Sequence, residues 1–288
     1  MKAGMLWGMG IVLAVLAVTP ARAGEDPVAA TARAVEARLD ARVGVFVVDT
    51  GGGTTWAYRA DERFPMASTF KALACGALLA RIQAGEESAD TSVPIEAQDL
   101  VSYAPVTKTL VGQRVPVLDL CAITLRTSDN TAANKILEHV EGPAGLTRFV
   151  RALGDETTRL DRWETALNEG IPDDPRDTTS PRAMATTLRA LVLGPILSED
   201  GRLRLVRWLE SNAVSGSLLR AGVPADWRIA DRSGAGGHGT RGLTAVAWPP
   251  GRAPLVIAIY LTKTEAPMAD RDAAIADIGR ALVAALDD

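Results

Sequence analysis

The chain has 288 residues, of which 47% are hydrophobic and 23% charged, the mix of an ordinary globular protein. Its 31 basic and 35 acidic residues leave a net charge of −4, which removes the electrostatic case for a nucleic-acid or anionic-membrane partner. The length accommodates one large domain or two interlocked ones.

The first segment reads as an address. Residues 1–10 carry one charge, Lys2, and residues 11–18 are an unbroken apolar run. Pro20 then precedes Ala21-Arg22-Ala23, the small-x-small pattern that a signal peptidase cuts. The apolar stretch is near the lower limit for spanning a bilayer. Residues 1–23 are therefore expected to be a cleaved signal peptide. The mature protein is expected to be exported, in the periplasm or fully secreted, with no membrane attachment after cleavage.

Residues 27–39 have a helical pattern, with Val28, Ala32, Val35 and Leu39 on one face. Residues 43–49 and 54–59 are β-rich runs separated by Gly51-Gly52-Gly53, a hairpin signal. Helical patterns dominate from residue 68 to about 209. Strand patterns return at 227–233, 243–248 and 255–262, and a closing helix follows over 271–286. Strands at both chain ends with helices between them imply one sheet built from distant segments. The expected fold is α+β: an antiparallel sheet flanked by helices from both ends, plus an all-helical lobe. Residues 24–66 and 210–288 together would form the α/β domain, and residues 67–209 the helical one. A cleft between the two is the natural ligand site.

Cys75 and Cys121 both lie in apolar stretches, so buried free thiols and a disulfide are equally open on composition and an even count. The two histidines, His139 and His238, stand at no ligand spacing from a second His or Cys, so neither a metal nor a cofactor is expected.

The chemistry begins at Ser68-Thr69-Phe70-Lys71. The nine residues after Lys71 are uncharged, so this helix is expected to be buried nearly all round. Taken alone, Ser68 could be a helix cap and Lys71 a side chain reaching solvent. The chain, however, has only five lysines (2, 71, 108, 135 and 263) against 26 arginines. A lysine kept inside an apolar helix points to a need that arginine does not meet. Burial can lower an ammonium's pKa until it accepts a proton, whereas a guanidinium stays charged. Such a lysine, one turn from a serine, can activate that serine as a nucleophile. Ser128-Asp129-Asn130 could likewise be a helix cap, and Arg232-Ser233-Gly234 a turn after a strand.

The three motifs in this order resemble those of class A β-lactamases and penicillin-binding proteins. The resemblance to class A β-lactamases runs along the mature chain. It includes Glu164-Thr165-Ala166-Leu167-Asn168, bracketed by Arg162 and Asp177, as well as Tyr103 and Arg241. One departure is Arg232, where the family's third motif opens with lysine; Arg-Ser-Gly-Ala-Gly-Gly is similar to the carbenicillin-hydrolysing subgroup.

The resemblance implies acyl transfer through Ser68, with an oxyanion hole at the backbone N–H groups of Ser68 and Ala235. Ser128, helped by Lys71, would pass a proton to the departing lactam nitrogen, Glu164 with Asn168 would hold the hydrolytic water, and either Lys71 or Glu164 would be the base for acylation. Arg232, Ser233, Gly234 and Arg241 would bind the substrate carboxylate side, and Tyr103, Asn130 and the Ala235 carbonyl the remainder. It further implies a Cys75–Cys121 bridge. Ala67 and Gly236 replace the cysteine pair of some carbapenem-hydrolysing relatives, so carbapenem hydrolysis is not expected. The expected partner is a small-molecule β-lactam, with a monomeric enzyme. A D-alanyl-D-alanine peptidase and a non-hydrolytic penicillin receptor are the competing readings; Glu164 with Asn168 argues against the first.

Overall fold

A computed structural model describes Met1 and residues 26–287, so the expected signal peptide lies outside the described residues apart from Met1. The elements in chain order are α1 (Pro27–Leu39), β1 (Arg42–Asp49), β2 (Thr55–Tyr58), β3 (Phe64–Pro65), α2 (Phe70–Ala84) and β4 (Ser92–Pro94). They continue with β5 (Arg114–Pro116), α3 (Val117–Thr127), α4 (Asn130–Glu138), α5 (Gly142–Ala152), β6 (Thr178–Thr179) and α6 (Pro181–Val192). The last are α7 (Glu199–Glu210), β7 (Arg228–Ala235), β8 (Arg241–Trp248), β9 (Leu255–Thr262) and α8 (Met268–Asp287).

The main sheet has the order β2-β1-β9-β8-β7, antiparallel throughout. The first long strand thus pairs with the last, Val45 opposite Ile259, as segments from both chain ends require. Period-2 alternation sorts its side chains between two cores. Val43, Val45, Val47, Ile257, Ile259 and Leu261 face one cluster with α1 and α8. Phe46, Val48, Val256, Ala258 and Tyr260 face the other, which continues through α6 into the helical lobe.

α1 follows its pattern to the residue. Asp26 caps it, accepting from the N–H groups of Val28 and Ala29 at 2.9 and 3.1 Å, with Pro27 in the first turn. Val28, Ala32 and Val35 are buried, and Leu39 at the last turn is half-buried. α8 begins three residues earlier than its apolar pattern shows, because its first turn is exposed. The small sheets β3–β6 and β4–β5 carry two or three residues per strand, too few for a period to be visible. β7 runs on to Ala235 rather than ending at Ser233, since Gly234 and Ala235 pair with Gly242 and Arg241 of β8. The third motif therefore lies inside a strand, not in a turn.

α2 is the axis of the helical lobe. Every residue from Phe70 to Leu79 is buried, matching its uncharged run. Cys75 on α2 and Cys121 on α3 are disulfide-bonded, closing a loop of 46 residues. A loop of that size should stabilise the fold by about 4 kcal/mol on the chain-entropy model. Titration of denatured, unreduced protein should find no free thiol. The double variant Cys75→Ala/Cys121→Ala should unfold at lower urea while still hydrolysing substrate. Two titratable thiols, or an unmoved midpoint, would contradict this.

Candidate active site

Four segments meet where β7 passes the start of α2. Ser68 lies in a 3-10 turn, Ala67–Thr69, that feeds into α2. The preceding Ala67 has φ +41°, a conformation that L residues seldom adopt and that sets the entry angle of the turn. Ser68 caps nothing; its neighbour Thr69 instead donates to Met66 O at 2.7 Å and contacts the Tyr260 hydroxyl at 3.0 Å. β7 comes this close because Gly234 has no side chain: a Cβ there would lie 2.8 Å from Met66 O and 2.9 Å from Ser68 N.

Lys71 does not reach solvent. Its side chain is fully buried, and Nζ lies 2.9 Å from Ser128 O, 2.6 Å from Asn130 Oδ1 and 2.9 Å from Glu164 Oε1. Burial pulls its pKa down from 10.5 to about 8; the Glu164 carboxylate opposes that shift and the Arg232 guanidinium adds to it.

Ser128 ends α3 in the left-handed region, at φ +67°. The capping reading of Ser128-Asp129-Asn130 belongs to Asp129, whose carboxylate accepts from Ala132 N at 3.0 Å and opens α4. Ser128 Oγ is thereby left to face Ser68 Oγ at 3.1 Å, with Lys71 Nζ at 3.4 Å on its other side. A hydroxyl rotates freely between donor and acceptor roles, so the three groups form a proton path from Ser68 to Lys71 through Ser128.

Glu164 is buried, not the exposed carboxylate that its polar neighbours in sequence suggest. Asn134 holds its backbone from both sides, accepting from Glu164 N at 2.9 Å and donating to Glu164 O at 3.0 Å. Asn168 Nδ2 donates to Glu164 Oε2 at 2.5 Å, and Asn168 Oδ1 is buried with no donor among the described residues. Arg162 Nε and Asp177 Oδ2 pair at 2.6 Å across the neck of this loop, and Asp177 Oδ1 also accepts from Asp161 N and Arg162 N. Gly237 N donates to Asn168 O at 2.8 Å; a Cβ on Gly237 would sit 2.2 Å from Glu169 O, so only glycine lets the β7–β8 hairpin seat the loop.

The two arginines differ in depth. Arg241 lines the cleft, fixed by Asp272 of α8 at 2.6 Å and by Gly234 O at 3.2 Å. Arg232 is fully buried behind it: Nε donates to Ser68 O at 3.2 Å and Nη2 to Ser128 Oγ, while Nη1 has no partner among the described residues. Burial lowers its pKa to about 10, with Asp231 and Glu164 opposing, so it remains a cation at neutral pH.

The cleft has a volume of about 360 Å³ and is lined by Ser68, Tyr103, Ser128, Asn130, Asn168, Ser233, Gly234, Ala235 and Arg241. Lys71, Glu164 and Arg232 lie beneath these groups. Val214, Met268, Asp272 and Asn134 also build the site, and sequence reasoning missed them. Only Asn134 left a signal, lying one helical turn after Asn130 on the same face of α4.

A hidden cation that can lose its proton, a relay hydroxyl, a serine on a strained turn and a buried carboxylate suit two-step acyl transfer to water. The model of the β-lactamase enzyme family matches residues 27–286. The chain is 49% identical over 250 residues to β-lactamase CARB-3 of Pseudomonas aeruginosa, covering 87% of each protein. Among solved structures, an ancestral (GNCA) class A β-lactamase superposes with TM-score 0.88 at 52% identity, over 90% of this chain and 99% of that one. The putative class A β-lactamase PenP from Rhodopseudomonas palustris does so with TM-score 0.89 at 48% identity, over 90% and 100%. Likeness that extends from the first helix to the last, in sequence and in fold alike, places this chain among the class A serine β-lactamases, hydrolases of β-lactam antibiotics.

Proposed function

We propose that Ser68 attacks the lactam carbonyl, passing its proton towards Lys71, and that the backbone N–H groups of Ser68 and Ala235 stabilise the resulting oxyanion. Each such donor typically lowers the barrier by about 3 kcal/mol. Ser128 delivers a proton to the departing lactam nitrogen, as its position between Ser68 Oγ and Lys71 Nζ allows. Glu164 and Asn168 then hold and deprotonate the water that releases the acyl group. The observation that carries this reading is the pair of buried acceptors, Glu164 Oε1 and Asn168 Oδ1, beside the serine–lysine pair. Ser233 and Arg241 hold the substrate carboxylate, Asn130, Tyr103 and Ala235 the side-chain amide, and Arg232 acts from behind them. Export to the periplasm as a monomer completes the proposal. It is supported by the leader pattern and by a disulfide, which an oxidising compartment sustains.

Removing a group that serves one step leaves the preceding intermediate to accumulate. Intact-mass analysis after brief exposure to benzylpenicillin should find a long-lived adduct on Ser68 in Glu164→Ala and none in Ser68→Ala. An adduct elsewhere would sink the assignment of Ser68. Parental turnover by Glu164→Ala would favour a peptidase-like arrangement.

Arg232 is proposed to favour substrates bearing an additional side-chain carboxylate, such as carbenicillin. Its guanidinium is fully buried beneath the cleft, with Nε and Nη2 on Ser68 O and Ser128 Oγ and Nη1 without a partner among the described residues. It therefore acts on an added carboxylate through its charge and through the groups it holds rather than by contact. Arg232→Lys should lower the carbenicillin-to-benzylpenicillin ratio of kcat/KM by roughly tenfold. An unchanged ratio with lower absolute rates would make Arg232 a generic electrostatic anchor.

A further inference from the structure

We propose that Met268 is an oxidative modification site of the cleft: peroxide-class oxidants convert its thioether to the sulfoxide and thereby weaken substrate binding. Between residues 26 and 287 Met268 is the one solvent-exposed sulfur. It is 43% exposed, whereas Met66 and Met184 are 1% and 0% exposed, and Cys75 and Cys121 are joined to each other. Oxidation of methionine follows access, so the reaction is directed to this residue. A lone pair of the sulfur attacks the peroxide, the O–O bond breaks, an S–O bond forms, and water leaves. Sulfur is oxidised and peroxide oxygen reduced.

The position gives the change a consequence. Met268 is the first residue of α8 and lines the same cleft as Ser68, Tyr103, Val214 and Arg241. One helical turn on, the same helix carries Asp272, which holds Arg241 Nε at 2.6 Å. Arg241 also donates from Nη1 to Gly234 O, and no hydrogen bond joins its Nη2 to another described residue. A thioether is a weak acceptor and presents an apolar wall here. A sulfoxide is a strong, chiral acceptor, and in a cleft that Arg241 also lines it competes with an incoming carboxylate for the open donor. Neither Ser68, Lys71 nor Glu164 lies on α8, so the loss falls on binding rather than on the bond-making steps.

The inference rests on the cleft being the β-lactam site, and its test separates the two claims. The enzyme is treated with dilute hydrogen peroxide, and tryptic peptides are mapped by mass alongside kinetics with benzylpenicillin. The peptide containing Met268 should gain one oxygen while those with Met66 and Met184 do not. KM should rise roughly three- to tenfold, the worth of one polar contact, with kcat kept. Peptide methionine sulfoxide reductase should reverse both changes. Met268→Leu should show constants that peroxide does not alter, and Met268→Gln, a polar mimic of the sulfoxide, should raise KM without peroxide. An oxidised Met268 with unchanged KM, an unmodified Met268, or an equal peroxide effect on Met268→Leu would each overturn the proposal. Absence of turnover before any peroxide would instead refute the assignment of the cleft.

Discussion

An ammonium buried away from water governs this structure. Lys71, in the first turn of α2, is buried, and an isolated charge in such a place costs several kcal/mol, even after the protein relaxes around it. Ser128 O, Asn130 Oδ1 and Glu164 Oε1 offset that cost in part, each within 3 Å of Nζ. The offset is incomplete, because burial outweighs the Glu164 charge and Arg232 adds a second cation, so the pKa settles at about 8. Lys71 therefore gives up its proton more readily than an ordinary lysine does. The imbalance fits the proposed role of Lys71 as a proton acceptor, in a chain with only two histidines.

The three groups around Nζ come from the junction of α3 with α4, from the first turn of α4, and from the loop between Arg162 and Asp177. Each needs its own support. The left-handed turn at Ser128 directs its oxygens inward, while Asp129 takes over the capping of α4. Glu164 is held by Asn134 through its backbone and by Asn168 through its carboxylate, and the loop neck is closed by Arg162 and Asp177. The β7–β8 hairpin then seats the loop through Gly237, and Gly234 brings the same strand against Ser68. The sheet thus serves the site by reaching across to the helical lobe at two glycines.

Much of this is legible in the amino-acid sequence. The uncharged run after Lys71 marks a helix with no outer face, and the scarcity of lysine draws attention to Lys71, which the fold buries. β9, eight residues without a charge, matches its apolar run end to end. What stayed hidden depends on contacts between distant segments. No local pattern says that Arg232 lies under Ser128 rather than at the cleft wall, because its depth follows from how closely Gly234 approaches Ser68 N. Asp272 looks like one more surface acid on an amphipathic helix until Arg241, 31 residues away, is seen beside it. The bland readings of Ser68 and Ser128 as caps failed for a local reason: Asp129 holds the capping role that Ser128 was offered, and Thr69, beside Ser68, is held by Met66 O and the Tyr260 hydroxyl.

The central claim is that the fold leaves Lys71 able to give up its proton near neutral pH. With five lysines in the chain, the Cε resonances of ¹³C-lysine-labelled enzyme can be followed individually by NMR through a pH titration. One of them should titrate at about 8, and that resonance should be absent from Lys71→Arg. If every lysine instead titrates in the ordinary range, near 10.4, Lys71 remains a fixed cation throughout and this account of how Ser68 is activated is wrong.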